Sequence, residues 1–402
     1  MGTVNLRNTI IANNFNPNGG DDFYATPQNY ILNSGYSLVK KVSTSAPFGV
    51  PSQTPSAAGG NIVNVDPILD GALRNYGGAT KTLALRRGSP AIDTGDPATF
   101  SPTDQRGITR PQDGDGNGTA RSDMGAFERR LADVIAVRPA DFDNDGQDDL
   151  SVFRPSNGTW YLNRSTDGFT GIAFGQSGDQ IVPAGYDGDG RTDVAVYRSG
   201  VWYLQRSAQG FTAVTFGATG DVPVPGDYDD GERADVAVFR PSNGSWYLLR
   251  STAGFTGFAF GLDGDKLVQA DYDGDGRTDI AVNRVGTWYL QRSSLGFTAT
   301  TFGDANDKLV PADYDGDGKS DVAVFRPSNG YWYLQQSTAG FFGTPFGAGT
   351  DLPAAADYDG DGRADIAVVR NGTWFLNRSA QGFAAMAFGA VSDLFVPNAF
   401  VR

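Results

Sequence analysis

"DYDGDGRTD", residues 271–279, is followed 42 residues later by "DYDGDGKSD", residues 313–321. Each stretch places four carboxylates within nine residues. Folded tightly, Asp271, Asp273, Asp275 and Asp279 would lie within about 5 Å of one another, and each like-charge pair would cost about 3 kcal/mol at an effective dielectric near 20. A loop that needed only solubility would spread its acids or mix in Lys. Gly274 and Gly276 allow the positive φ angles of a sharp turn. Oxygens at positions 1, 3, 5 and 9, with a backbone carbonyl at position 7, match a cage for a hard cation. Carboxylates without a soft ligand favour Ca²⁺ over Mg²⁺, which keeps its waters, and over zinc, which takes N or S. The plainer alternative is an acidic turn facing water, and the recurrence of the loop with its glycines in place argues against it.

An EF-hand is excluded. That loop needs a bidentate Glu at position 12 and a following helix, whereas position 12 here is Val152, Val196, Val238, Val282, Val324 or Val368. The segments that follow, such as "IAVNR" and "VAVFR", are β-branched and alternating, so each loop joins two strands.

First loop positions fall at Asp141, Gly185, Asp227, Asp271, Asp313 and Asp357, with steps of 44, 42, 44, 42 and 44. Odd repeats carry "RPSNG" before the Trp and even ones a shorter "RSG", "RVG" or "RNG". A two-residue change within a hairpin turn leaves the strands in register. Each unit reads as four strands, typified by "LVPADYD", "SDVAVFR", "YWYLQQS" and "FFGTPFG". Four short antiparallel strands repeated radially describe a β-propeller blade, and blades must stack to bury both faces. The tail "FVPNAFVR" repeats the first strand once more, with Ala399 at the first loop position and no acidic loop after it. It reads as the strand that closes the ring. Six complete units indicate six blades, with a seventh, composite blade as the alternative.

The candidate ligands follow loop by loop. Loop 1 offers Asp141, Asp143, Asp145, Asp149 and the Gln147 carbonyl. Loop 4 offers Asp271, Asp273, Asp275, Asp279 and the Arg277 carbonyl. In loop 5 they are Asp313, Asp315, Asp317, Asp321 and the Lys319 carbonyl; in loop 6, Asp357, Asp359, Asp361, Asp365 and the Arg363 carbonyl. Loop 2 has Gly185 at position 1 and keeps Asp187, Asp189 and Asp193. Loop 3, "DYDDGERAD", has Gly231 at position 5 and keeps Asp227, Asp229 and Asp235, with Asp230 or Glu232 as compensating acids. The expectation is four good Ca²⁺ sites and two weak or empty ones. A seventh acidic stretch, "DGDGNGTARSD", offers Asp113, Asp115, Asn117 and Asp123 for an extra cation, against the alternative of a hydrogen-bonded loop.

The protein has six Trp residues, one per repeat: Trp160, Trp202, Trp246, Trp288, Trp332 and Trp374. A sugar-stacking platform is one reading. Trp288 lies two residues from Leu290, however, so both point to the same face of the strand, and core packing against the next blade is the preferred reading.

The 402-residue length suits two domains. Gly at 54 residues, charged residues at 19% and aromatics at 12% suit short strands and tight turns. The net charge of −14 argues against nucleic acid and anionic membranes as partners. With no Cys and no His, disulfides, thiolate sites, Cys nucleophiles and His-based triads are ruled out. No run of 18 apolar residues occurs. "MGTVNLRNTIIANN" lacks the apolar region of a signal peptide, so the chain is read either as cytosolic or as continuing upstream.

Residues 1–129 differ from the rest. "VNLRNTIIANN" has the apolar and Asn pattern of a parallel β-helix coil. One or two coils cannot bury a solenoid core, so this segment reads as the end of a longer right-handed parallel β-helix with its cap. A short linker at 130–133 then leads to the propeller at 134–402, making the fold class all-β.

The 141–402 region resembles the FG-GAP or VCBS repeat family, the calcium-loop propellers that include the head of integrin α chains. Besides the loops, the resemblance rests on "FG" at Phe174-Gly175, Phe216-Gly217, Phe260-Gly261, Phe302-Gly303, Phe346-Gly347 and Phe388-Gly389. The N-terminal part resembles the C-terminal portion of the choice-of-anchor Q β-helix proteins of bacterial surfaces, through "GSPAID" (88–93), "TDQRG" (103–107), "RP" (110–111) and "MGAFE" (124–128). Together these resemblances imply an extracellular or cell-surface bacterial protein that binds or displays, with a protein or glycan ligand. A non-enzymatic adhesion, display or structural role is the leading reading, and a lectin-like carbohydrate-binding module the second. A polysaccharide lyase or hydrolase component comes third, because the acids that can be placed are assigned to metal, leaving no catalytic residue to name.

Overall fold

The computed structural model describes residues 2–12, 30–40, 58–69, 80, 82–85, 89–114, 119–129, 140–229, 231 and 233–397. The chain divides into two compact units, Met1–Val134 and Ile135–Arg402. Among the described residues, the only helical segments are short 3₁₀ turns.

In the first unit, β1 (Gly2–Arg7) pairs in parallel with β3 (Tyr30–Gly35). A second parallel ladder joins β2 (Ile10–Ile11), β4 (Leu38–Val39) and β5 (Ile62–Val63). Leu38, Leu85, Ala91, Met124 and Phe127 form a buried apolar cluster. Buried acids tie the surrounding turns together. Asp104 accepts the N–H groups of Arg106 and Ile108, and Glu128 those of Gln112 and Asp123.

The second unit is a six-bladed propeller of four-stranded antiparallel sheets. Blade 1 contains β6 (Leu150–Arg154), β7 (Thr159–Arg164) and β8 (Gly168–Ala173). Blade 2 runs through β9 (Gln180–Ile181), β10 (Val194–Arg198), β11 (Val201–Arg206) and β12 (Gly210–Thr215); blade 3 through β13 (Val222–Pro223), β14 (Val236–Arg240), β15 (Ser245–Arg250) and β16 (Gly254–Ala259). Blade 4 holds β17 (Lys266–Leu267), β18 (Ile280–Arg284), β19 (Thr287–Arg292) and β20 (Gly296–Thr301). Blade 5 holds β21 (Lys308–Leu309), β22 (Val322–Arg326), β23 (Tyr331–Gln336) and β24 (Gly340–Pro345), and blade 6 β25 (Leu352–Pro353), β26 (Ile366–Arg370), β27 (Thr373–Arg378) and β28 (Gly382–Ala387). The final strand, β29 (Leu394–Phe395), pairs with β6 through Leu394↔Phe153 and Phe395↔Val152. Blade 1 is thus assembled from both ends of the propeller, as the tail suggests, and the blade number is six. Ala399 lies outside the described residues.

The sequence pattern accounts for the strands. The second strand of each blade is buried on both faces, which suits its run of Val, Ile and Ala. The third buries Trp and Leu on one face, and the fourth alternates between half-buried and exposed residues as an outer edge should. The Pro-Ser-Asn-Gly and shorter Ser-Gly turns both preserve register: Phe153 pairs with Trp160 and Tyr197 with Trp202. All six Trp side chains are fully buried. Each indole Nε1 donates to the carbonyl of the Phe 14 residues on, as in Trp332 to Phe346 at 2.9 Å. This settles the Trp positions as core. One face of a blade packs on the next: Phe153, Trp160 and Leu162 of blade 1 cluster with Val194 and Val196 of blade 2.

Candidate metal centres

Each acidic loop is folded by its own carboxylates. The position-9 Asp accepts the position-2 N–H, as in Tyr272 to Asp279 at 2.8 Å and Tyr314 to Asp321 at 2.9 Å. In loops 4, 5 and 6 the position-1 Asp gathers two glycine N–H groups: Gly274 and Gly276, for example, donate to Asp271 at 2.6 and 2.7 Å. In five loops a Tyr at position 2 anchors the turn by donating its hydroxyl to the carbonyl four residues back, as in Tyr314 to Val310 at 2.8 Å. Phe142 takes that place in loop 1.

The third wall comes from a segment that sequence reasoning did not single out, the Ser-x-x-Gly turn between the last two strands of each blade. In blade 5, Ser337 N–H donates to Asp321 at 2.7 Å, while Thr338 and Ala339 N–H donate to Asp315 Oδ2 at 3.1 and 2.8 Å. The Ser337 and Thr338 hydroxyls both bond Asp317 Oδ2. The available signal was the recurrence of Ser165, Ser207, Ser251, Ser293, Ser337 and Ser379 at one place in every repeat.

Ligand atoms converge within 4.8 Å of one another in the groups Asp141/Asp143/Asp149, Asp187/Asp189/Asp193, Asp227/Asp229/Asp235, Asp271/Asp273/Asp279 and Asp313/Asp315/Asp321. These Asp triads can bind a metal ion such as calcium. In the complete loops of this set, positions 1, 3 and 9 come together. Position 5 is bonded elsewhere: Asp145, Asp275 and Asp317 accept both from Ser or Thr hydroxyls and from the position-7 N–H. Loop 2, lacking the first carboxylate, uses positions 3, 5 and 9. In loop 6, Asp357 accepts Gly360 and Gly362 N–H groups, Asp359 those of Ala380 and Gln381, and Asp365 those of Tyr358 and Ser379.

A finer observation separates the loops. The position-3 Oδ1 atoms of Asp143, Asp273, Asp315 and Asp359 are buried and have no hydrogen-bond partner. A buried carboxylate oxygen left unmatched is costly, and a cation is the partner that the converging acids would take. In loop 2 the corresponding Asp187 Oδ1 accepts from Asp189 N–H at 3.4 Å. In loop 3 the corresponding Asp229 Oδ1 accepts Gly231 N–H at 3.2 Å. The unmatched atoms thus fall in loops 1, 4, 5 and 6. Asp230 and Glu232 lie outside the described residues.

Without an ion the acids repel. Burial first, with neighbouring carboxylates adding to it, pushes Asp149 up to about 8 and Asp193, Asp235, Asp279, Asp321 and Asp365 to about 7. Asp271 rises to about 7 and Asp313 to about 6 for the same reason. Burial also works to raise Asp275 and Asp317, but hydroxyl hydrogen bonds outweigh it and hold both below the usual carboxylate value.

In the seventh acidic stretch, Asp113 and Asp123 lie among the described residues. Both oxygens of Asp123 are taken by backbone N–H groups, from Asp93 at 2.7 Å and Arg129 at 2.6 Å. Burial pushes this carboxyl up to about 8. Asp115 and Asn117 lie outside the described residues.

Comparison with known proteins agrees with the repeat. The FG-GAP-like repeat family matches residues 141–196 and 313–368, two stretches of the propeller. No curated protein matches the chain. Among solved structures, an Agrocybe aegerita lectin described as recognising non-reducing terminal N-acetylglucosamine aligns at 17% identity, covering 62% of this chain and 78% of that one, with a TM-score of 0.44. BBS1N, solved in complex with ARL6DN, aligns at 14% identity over 64% and 84%, with a TM-score of 0.40. Virginiamycin B lyase from Staphylococcus aureus aligns at 8% identity over 62% and 93%, with a TM-score of 0.41. These likenesses carry no argument about activity. Among the described residues no helix is long and apolar enough to cross a membrane.

Proposed function

We propose that the chain is a non-enzymatic calcium-binding protein of the cell surface or extracellular space, whose propeller serves adhesion, display or a structural role. The observation that carries this reading is the unmatched, buried Oδ1 of Asp143, Asp273, Asp315 and Asp359. A Ca²⁺ ion would be held by positions 1, 3 and 9 with the position-7 carbonyl, and by position 5 where its Ser and Thr partners leave it in reach. The ion supplies charge neutralisation. The chain's own N–H groups and hydroxyls hold the carboxylates in place before it arrives. Four ions are proposed, in loops 1, 4, 5 and 6. Gly-rich loops without a bidentate Glu belong with extracellular modules, whose affinities are about 10⁻⁴ to 10⁻³ M. Parallel ladders in the first unit support reading it as the end of a right-handed parallel β-helix, and the stretch with Asp113, Asp115, Asn117 and Asp123 is kept as a proposed extra cation site.

Equilibrium dialysis of the whole chain with metal analysis tests the reading: about four Ca²⁺ bound at millimolar concentration is expected. Binding of none, or submicromolar affinity together with a cytosolic location in fractionated source cells, would overturn it.

One observation favours a second reading, a carbohydrate-binding module. Phe169, Phe211, Phe255, Phe297, Phe341 and Phe383 are 58% to 65% exposed. Each lies edge-on to the Phe of an "FG" pair in the preceding blade, as in Phe174–Phe211 at 6.2 Å. An Arg guanidinium covers the ring beside it in every blade, for example Arg198 over Tyr203 at 4.9 Å. Aromatic faces with flanking donors suit a sugar ring. Glycan-array binding that is lost in Phe211→Ser would support this module over the adhesion or display role.

A further inference from the structure

The acidic loops touch one another around the ring. In each, the position-8 N–H donates to the position-1 backbone carbonyl of the preceding loop. The pairs are Thr192 to Asp141 at 2.7 Å, Ala234 to Gly185 at 2.8 Å, Thr278 to Asp227 at 2.5 Å, and Ser320 to Asp271, Ala364 to Asp313 and Asp148 to Asp357, each at 2.6 Å. The last bond joins the first loop to the sixth and closes the circle. Side chains follow the same path. Lys319 packs so closely on Gly274 that a Cβ there would come within 2.9 Å of it, and Gln147 stands equally close to Gly360.

The bond from Ser320 to Asp271 is placed to transmit binding. The Ser320 N–H and the Lys319 carbonyl belong to one planar peptide unit. In the calcium reading, that carbonyl oxygen is the position-7 ligand of loop 5. Across the hydrogen bond stands Asp271, whose carboxylate serves loop 4. A cation at the carbonyl oxygen fixes the peptide plane and polarises its N–H, which strengthens the bond to the neighbouring loop. The Arg363–Ala364 and Gln147–Asp148 units stand in the same relation to Asp313 and Asp357.

We propose that loops 4, 5, 6 and 1 form one coupled calcium-binding arc, in which an ion in one loop raises the affinity of the next, and that loops 2 and 3 interrupt the circle. Loops 6 and 1 are neighbours only because the ring closes. The two loops that lack a carboxylate, at Gly185 and Gly231, are also adjacent, so the four complete loops fall in one uninterrupted run. This inference rests on the calcium reading above and adds to it that the sites are not independent.

The test is a calcium titration by calorimetry of the full chain after chelator treatment, with circular dichroism to confirm folding. The parent chain is expected to bind four ions with a Hill coefficient above 1. Asp315→Asn, in the middle of the arc, should lose its own ion and weaken the remaining three by about fivefold. Val285→Ser, on the exposed turn between β18 and β19 and outside every acidic loop, should leave all four unchanged. If Asp315→Asn fails to fold, Asp273→Asn at the end of the arc gives the same readout, with loop 5 weakened by a similar factor. Four ions bound with a Hill coefficient of 1, and unshifted affinity in the variants, would overturn the coupling and leave the calcium reading intact. No bound calcium in the parent chain would overturn both.

Discussion

Single residues in this propeller divide by whether they face a blade or an ion. Trp332 is fully buried, lies 5.6 Å from Phe325 between ring centroids and spends its one donor on Phe346. Trp332→Ala is expected to cost about 3–5 kcal/mol, read as a lower urea midpoint. Phe341 is 65% exposed, and Phe341→Ser should cost no more than about 1 kcal/mol. Equal losses would show that the rim aromatics are core as well. The ninth-position acids set a pH dependence. In the ion-free fold Asp279 and Asp321 hold their protons to about 7, against about 3.9 in an unfolded chain. Folded chains therefore bind more protons than unfolded ones between roughly pH 4 and 7, so ion-free stability falls as pH rises through that window. Calcium needs the ionised form, so its stabilising effect grows over the same range. Melting temperatures with and without calcium should diverge from pH 5 to pH 8, and a constant gap would count against carboxylate ligation.

Among elements, the two-residue strand β29 matters most for its length. It completes blade 1 and brings Asp393, whose side chain is fully buried, to Arg154, with two bonds of 2.8 Å. The same bidentate pair recurs within the chain as Arg198–Asp179, Arg240–Asp221, Arg284–Asp265, Arg326–Asp307 and Arg370–Asp351. Only the Arg154 pair spans the closure. Arg154→Ala should cost about 2–3 kcal/mol, below the 3–5 of a fully buried pair because the guanidinium is 31% exposed. Deleting residues 391–402 removes the strand and the pair together. It should convert cooperative unfolding into a broad transition by calorimetry, since blade 1 then exposes the edge of β6. A sharp transition would mean that closure contributes little.

For the whole molecule, the loops link metal to ring stability. Each ion that binds only the folded form adds about 2.7 kcal/mol at a hundredfold excess over its dissociation constant. Heating in millimolar calcium should therefore raise the melting temperature well above that of the chelator-treated protein. An unchanged curve after verified metal removal would remove calcium from the account of stability.

The sequence by itself determined the repeat, the strand order within a blade, the closing strand and the positions of the acids, because these follow from local periodicity and turn chemistry. It also marked loops 2 and 3 as deficient, since Gly185 and Gly231 carry no carboxylate. Other features came from distant segments that only tertiary structure brings together. The Ser337 turn walls the loop at Asp313–Asp321, and its hydroxyl bonds Asp317. Asp393 meets Arg154 across 239 residues, a distance that no local pattern can encode. Loop 6 touches loop 1 through Asp148 because the ring closes there. Strand period and turn residues act within a few positions along the chain, whereas the cage walls and the loop circle depend on how blades stack. Packing decided those, and propensity could not.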